Sequence, residues 1–93
     1  MDSKIRVYGA EWCGDTNRTR SHLGKQGLDY EFLNVDDNPE IEEQVTQWGS
    51  GKRIIPVVEI LANGETRRLI EPSNPQLDEA LRETGTHPQH RAA

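Results

Sequence analysis

Apolar residues along this chain fall into short clusters separated by polar punctuation, and the spacing inside each cluster names an element. Ile5, Val7 and, on the opposite side, Tyr8 predict a strand over residues 4–8. A helix is expected over 15–26, closed by Gly27. Its inward stripe is poor, with Thr16, Thr19 and Leu23 as the residues at helical spacing. Y-E-F-L-N-V, residues 30–35, alternates as a second strand. Asn38 before Pro39 reads as an N-cap followed by a first-turn proline. A second helix is therefore expected over 39–48, with Ile41, Val45 and Trp48 on one face and G-S-G at its end. Residues 57–61 predict a third strand, and Asn63-Gly64 is the strongest hairpin signal in the chain, leading into a fourth strand over 66–70. P-S-N-P then opens a third helix over 75–84, with Leu77, Ala80 and Leu81 inward. Residues 85–93 have no periodicity and are expected to form a mobile tail, which leaves 1–84 as one domain.

The order is β-α-β-α-β-β-α. Two strands joined by a helix run parallel by a right-handed crossover, whereas the last two form an antiparallel hairpin. Helices must cover both faces of such a sheet. The fold class is therefore α/β, with a central four-stranded mixed sheet.

Composition narrows the functions open to it. Of 93 residues, 32% are hydrophobic and 29% charged, which permits a modest single core. Sixteen acidic against 11 basic residues leave a net charge of −5, so no basic face for nucleic acid is expected. The densest basic pair, Arg67-Arg68, reads as the solvated face of an edge strand. No hydrophobic leader is recognisable, and the longest apolar run, 54–58, is too short to span a bilayer. A single cysteine excludes an internal disulfide and any zinc site of four cysteines, or of two cysteines with two histidines. A reducing cytoplasm, where a free thiol persists, is the expected setting. His22 is placed on the exposed side of the first helix and His87 and His90 in the tail, so no metal site is expected.

That cysteine, Cys13, sits in E-W-C-G-D-T, between the end of the first strand and the start of the first helix. Unpaired N–H groups and about half a positive charge at a helix N-terminus favour the thiolate, the nucleophile in disulfide exchange. The competing reading of a lone cysteine is a small buried hydrophobe. Gly14 and Asp15 open the helix; the Asp15 carboxylate repels a neighbouring thiolate, and Arg18 is placed to screen it. Thr16 occupies the position where a dithiol site carries its second sulfur. Its hydroxyl either donates to the Cys13 sulfur or belongs to an ordinary first-turn threonine. In both cases a mixed disulfide at Cys13 must be released by a thiol from outside. Trp12 either shapes the rim of the site or packs, and Trp48 reads as core.

V-Y-G-A-E-W-C-G-D, the run G-L-D-Y-E-F-L-N-V-D-D-N-P-E over 27–40, G-K-R-I-I-P-V-V and E-P-S-N together resemble the glutaredoxins of the thioredoxin-fold superfamily over residues 4–84. The last two segments are most similar to the small mycoredoxin-like branch. The site departs from the usual patterns. Proline is missing from inside the motif, and the Cys-Gly-Phe-Ser of cluster-carrying monothiol glutaredoxins is absent, as is the lysine before it. E-P-S-N-P stands where a Gly-Gly-x-Asp-Asp type of segment would hold the glutamyl end of glutathione.

The resemblance implies that Pro56 is cis and that the backbone of Ile55 faces Cys13 and pairs with an extended, peptide-like thiol. Lys52 and Arg53 are then placed to anchor a carboxylate, and Ser73 and Asn74, ahead of the third helix, to offer N–H groups to a second anion. The expected activity is a monothiol thiol–disulfide oxidoreductase, monomeric, with no tightly bound cofactor. It would act on mixed disulfides between proteins and a small thiol of the glutathione or mycothiol type. Two other readings stay open: a dimeric, glutathione-assisted carrier of a [2Fe–2S] cluster, and a non-catalytic binding module.

Overall fold

Alternation along the strands divides the sheet into two faces, and each face collects its own core. The computed structural model describes residues 3–88. Strands β1 (Lys4–Gly9), β2 (Glu31–Asn34), β3 (Val57–Ala62) and β4 (Glu65–Ile70) form one sheet in the order β2-β1-β3-β4. β1 and β2 are parallel, and the other two pairings are antiparallel. Helices α1 (Gly14–Lys25), α2 (Pro39–Trp48) and α3 (Asn74–Glu83) complete the expected order. This is the thioredoxin fold. Among the described residues, no helix is long and apolar enough to cross a membrane.

On one face Ile5, Val7, Val58 and Ile60 pack against Leu23 of α1 and Leu77 and Leu81 of α3. The thin stripe of α1 is buried as its spacing predicts, through Thr16, Thr19 and Leu23. Thr19 Oγ1 is enclosed there without a hydrogen-bond partner. On the other face Tyr8, Ala10, Val35 and Val57 meet Val45 of α2, with Ile41 and Trp48 partly buried beside them. Asn38 caps α2, its side chain accepting from the N–H groups of Glu40 and Ile41.

A row of alternating charge crosses the α2 face. Glu31, Arg6, Glu59 and Arg68 stand opposite one another on β2, β1, β3 and β4. Arg6 Nε lies 3.4 Å from Glu31 Oε1, Arg6 Nη1 3.9 Å from Glu59 Oε1, and Arg68 Nη2 2.8 Å from Glu59 Oε2. Glu59 is only 4% exposed, a position that an unpaired carboxylate could not hold cheaply. Tyr8 Oη donates to its Oε1 at 2.6 Å. Burial, then the bond to Glu59, pushes the Tyr8 phenol up to about 12. Trp48 closes the group, with its ring edge-on to Tyr8 and the Arg68 guanidinium 4.1 Å from its centroid.

Three expectations change here. Arg67-Arg68 is not a merely solvated pair: Arg68 neutralises buried Glu59, and Arg67 bonds Glu83 at 2.8 Å. His22 is not on an open face but turned toward α3, where Nε2 lies 2.7 Å from Asp78 Oδ1. That hydrogen bond holds the Asp78 carboxyl below its usual range. The segment after α3 stays on the domain for several residues. Thr86 is buried, its N–H bonds Leu81 O at 2.9 Å, and its hydroxyl meets Ser3. The rest of the expected tail, 89–93 with His90, lies outside the described residues.

Candidate functional site

β1 delivers the chain to the site, and the turn after it hands Cys13 to α1. Cys13 is the N-cap of that helix, with φ −82° and ψ 120°. Its N–H donates to Ala10 O at 3.1 Å, and its carbonyl accepts from Asn17 at 3.0 Å. The side chain makes no capping hydrogen bond, is half-buried, and packs on the cluster that contains Tyr8, Ala10, Ile55 and Val57. Cys13 thus stands where the helix leaves its first N–H groups without intrahelical acceptors. Gly14 and Asp15 are exposed in the first turn.

Thr16 turns inward. It is fully buried, and its Oγ1 accepts from the Ala10 N–H at 3.4 Å. Of the two readings of this hydroxyl, the structure shows a contact to the β1 end and none to the Cys13 sulfur. Gly9 makes room for it: a Cβ at that position would fall 2.4 Å from Thr16 Oγ1.

Trp12 is 65% exposed yet fixed in place. Its Nε1–H donates to Asp36 Oδ2 at 2.7 Å, and the Arg53 guanidinium lies 5.8 Å from its ring centroid. Arg53 itself is engaged, with Nη1 3.3 Å from Asp36 Oδ1 and 3.3 Å from Glu42 Oε2. Its neighbour Lys52 is exposed. Ile55–Pro56 is a cis bond, as expected, and the Pro56 carbonyl accepts from Glu71 N at 2.8 Å.

On the opposite flank Arg18 ties α1 to the segment before α3. Its guanidinium lies 3.6 Å from Asp15 Oδ1, donates to Pro72 O at 3.1 Å, and also donates to Asn74 Oδ1. Ser73 caps α3 through a reciprocal box with Gln76, whose Oε1 accepts the Ser73 N–H at 2.9 Å. That N–H, expected to meet an anion, is already satisfied. An open groove of about 510 Å³ lies here, lined by Asp15, Arg18, Glu71, Pro72, Ser73 and Asn74. Among the described residues, no group of three or more His, Cys, Asp and Glu side chains could hold a metal ion.

The glutaredoxin family model matches residues 5–66, two thirds of the chain. Mycoredoxin 1 of Corynebacterium glutamicum is 35% identical over 57 residues, covering 60% of this chain and 68% of that protein. A glutaredoxin from Archaeoglobus fulgidus shares the fold with a TM-score of 0.62 at 24% identity, over 86% of this chain and 87% of that one. A glutaredoxin-like NrdH-redoxin from Escherichia coli aligns at 30% identity and a TM-score of 0.53, over 69% and 79%. The chain belongs to the glutaredoxin family. It is a thiol–disulfide oxidoreductase by that membership.

Among the expected site residues, Cys13 and Ile55 meet at the α2-side core and Trp12 is held by Asp36 beside Arg53, whereas Arg18 and Asn74 share a hydrogen bond between α1 and the start of α3. Asp36, Glu42 and Pro72 were not expected. Asp36 reads in the sequence as part of a D-D-N-P turn, and nothing linear signals that each of its two oxygens holds a different residue of the site. Pro72 enters through its carbonyl, which no residue pattern reveals.

Proposed function

We propose that this glutaredoxin works by a monothiol mechanism on mixed disulfides between proteins and a small thiol of the glutathione or mycothiol type. The observation that carries this reading is the pairing of a half-exposed Cys13 at the N-cap of α1 with a fully buried Thr16 one turn on. Cys13 supplies a nucleophilic sulfur, and Thr16 supplies no second one.

The thiolate of Cys13 attacks the small-thiol sulfur of a protein–S–S–R disulfide. The protein sulfur leaves with the electron pair, takes a proton from solvent, and Cys13 keeps R in a new disulfide. A second R–SH, as its thiolate, attacks the R sulfur and releases Cys13 together with R–S–S–R. In balance, protein–S–S–R and one free R–SH become protein–SH and R–S–S–R, and Cys13 is returned unchanged. Ile55, beside Cys13 in the same cluster, offers its extended backbone to the substrate, and exposed Lys52 flanks it. Trp12, held by Asp36, forms the rim on that side.

The test is a mass-spectrometric screen. Protein incubated with mixed disulfides of glutathione and of mycothiol is expected to gain one R group at Cys13 and to lose it on adding the free thiol. Absence of any Cys13 adduct, or an adduct that free thiol does not release, would reject the mechanism.

A further inference from the structure

The cations that flank Cys13 are outnumbered by carboxylates of the chain itself. Arg53 stands over the indole of Trp12, the residue preceding Cys13, but its Nη1 is shared between Asp36 and Glu42 at 3.3 Å each. That group holds one positive charge against two negative ones. The other flank repeats the imbalance, since Arg18 lies 3.6 Å from Asp15 and Glu71 lines the same groove. A carboxylate arriving at the Arg53 guanidinium or at the Arg18 groove meets a cation already matched or outnumbered by carboxylates. That leaves exposed Lys52 as the cation on the Arg53 side with no carboxylate in salt-bridge distance among the described residues.

We propose that Asp36 and Glu42 are specificity-determining residues, which cancel Arg53 and bias Cys13 toward small thiols without net negative charge. The proposal rests on the mixed-disulfide mechanism above. All of these groups are partly solvated, so the bias is graded, about threefold for each carboxylate. Asp36 has a second contact, the 2.7 Å bond to Trp12, which Glu42 lacks. Glu42→Gln therefore separates the charge effect from the placement of the indole.

The experiment uses one peptide cysteine in mixed disulfide with 2-mercaptoethanol, cysteamine or 3-mercaptopropionate: neutral, cationic and anionic probes of similar size. Rates with Cys13 are normalised to those of free cysteine with the same disulfides. The wild type is expected to favour the cationic and neutral probes over the anionic one. Glu42→Gln should raise the anionic-to-neutral ratio about threefold and Asp36→Asn/Glu42→Gln about tenfold. The differences should collapse in about 1 M salt, where the Debye length is about 3 Å. Ratios unchanged in both variants would overturn the proposal, as would Arg53→Ala depressing the anionic rate tenfold relative to the neutral one, since Arg53 would then be a working anchor. Reaction with none of the three would instead sink the mixed-disulfide mechanism, and the proposal with it.

Discussion

Gly9 and Thr16 are in contact through the space of a missing side chain. The threonine fills the volume a Cβ would need, 2.4 Å from that virtual atom to Oγ1 and 2.5 Å to Cγ2. This contact fixes how closely the start of α1 approaches the end of β1, and hence where Cys13 is presented.

Gly9→Ala should therefore destabilise the protein by about 1–3 kcal/mol, as overpacking does, because fully buried Thr16 has nowhere to move. Gly9→Ala/Thr16→Ala should recover part of the loss, since the two shortest contacts go but the Cβ of residue 16 stays 3.0 Å from the new one. Urea unfolding of the two singles and the double gives the coupling, and additive losses would show that the contact is not felt.

Thr16→Cys should convert the protein to a dithiol enzyme. Position 16 is one helical turn from Cys13, so the new sulfur is expected within reach of the mixed disulfide and able to displace R. Reduction of plain protein disulfides should be faster than in the wild type. Non-reducing mass spectrometry of the oxidised variant should show an internal bridge; two free thiols would contradict the placement of the helix start.

Thr19→Val should stabilise the fold by about 1 kcal/mol. The substitution keeps the branched shape and removes a hydroxyl whose oxygen is buried without a partner. Thermal or urea unfolding measures it, and a loss of stability would mean that this hydroxyl is satisfied in solution.

Tyr8 makes an alkaline prediction with a definite sign. Its native phenol titrates at about 12, above the ordinary 10.0, so between those values the folded chain holds a proton that the unfolded chain gives up. The contribution of Tyr8 to stability is complete below pH about 10 and disappears as the pH rises through about 12. Ultraviolet titration of tyrosinate should show a late phase near 12 that Tyr8→Phe removes. The same variant should cost about 1 kcal/mol at neutral pH through the lost bond to Glu59. A late phase that survives Tyr8→Phe would assign it elsewhere.

The elements of this fold are legible in the sequence because each rests on a local rule. Ile41, Val45 and Trp48 repeat at helical spacing, Asn38-Pro39 marks a start, and Asn63-Gly64 takes the positive φ values of 57° and 77° that a tight hairpin needs. Even the polar stripe of α1 could be read, since Thr16 and Thr19 occupy its inward positions. Side-chain pairing is another matter. Tyr8 and Glu59 are 51 residues apart, and Arg18 and Asn74 are 56 apart. Such partners follow from strand order and helix docking, which no local pattern encodes. The residues near Cys13 could be named from motif and resemblance, but the cancellation of Arg53 by Asp36 and Glu42 depends on how the turn before α2 folds back beside the 52–54 segment.

The charged row across the sheet also bears on the chain before it has folded. Without Glu59, residues 57–62 would be an uninterrupted apolar segment with high strand propensity, the kind that stacks with copies of itself in fibrils. A carboxylate in its middle is costly in any stack of identical strands, because like charges would align at every repeat. A two-residue slip of β3 against β1 also leaves Arg6 opposite Val57 or Leu61 instead of Glu59. The native register neutralises Glu59 from both sides. The same carboxylate that anchors Tyr8 in the finished sheet thus disfavours stacking of this strand on copies of itself, and Glu59→Leu is expected to lower the soluble yield even where the purified fold survives.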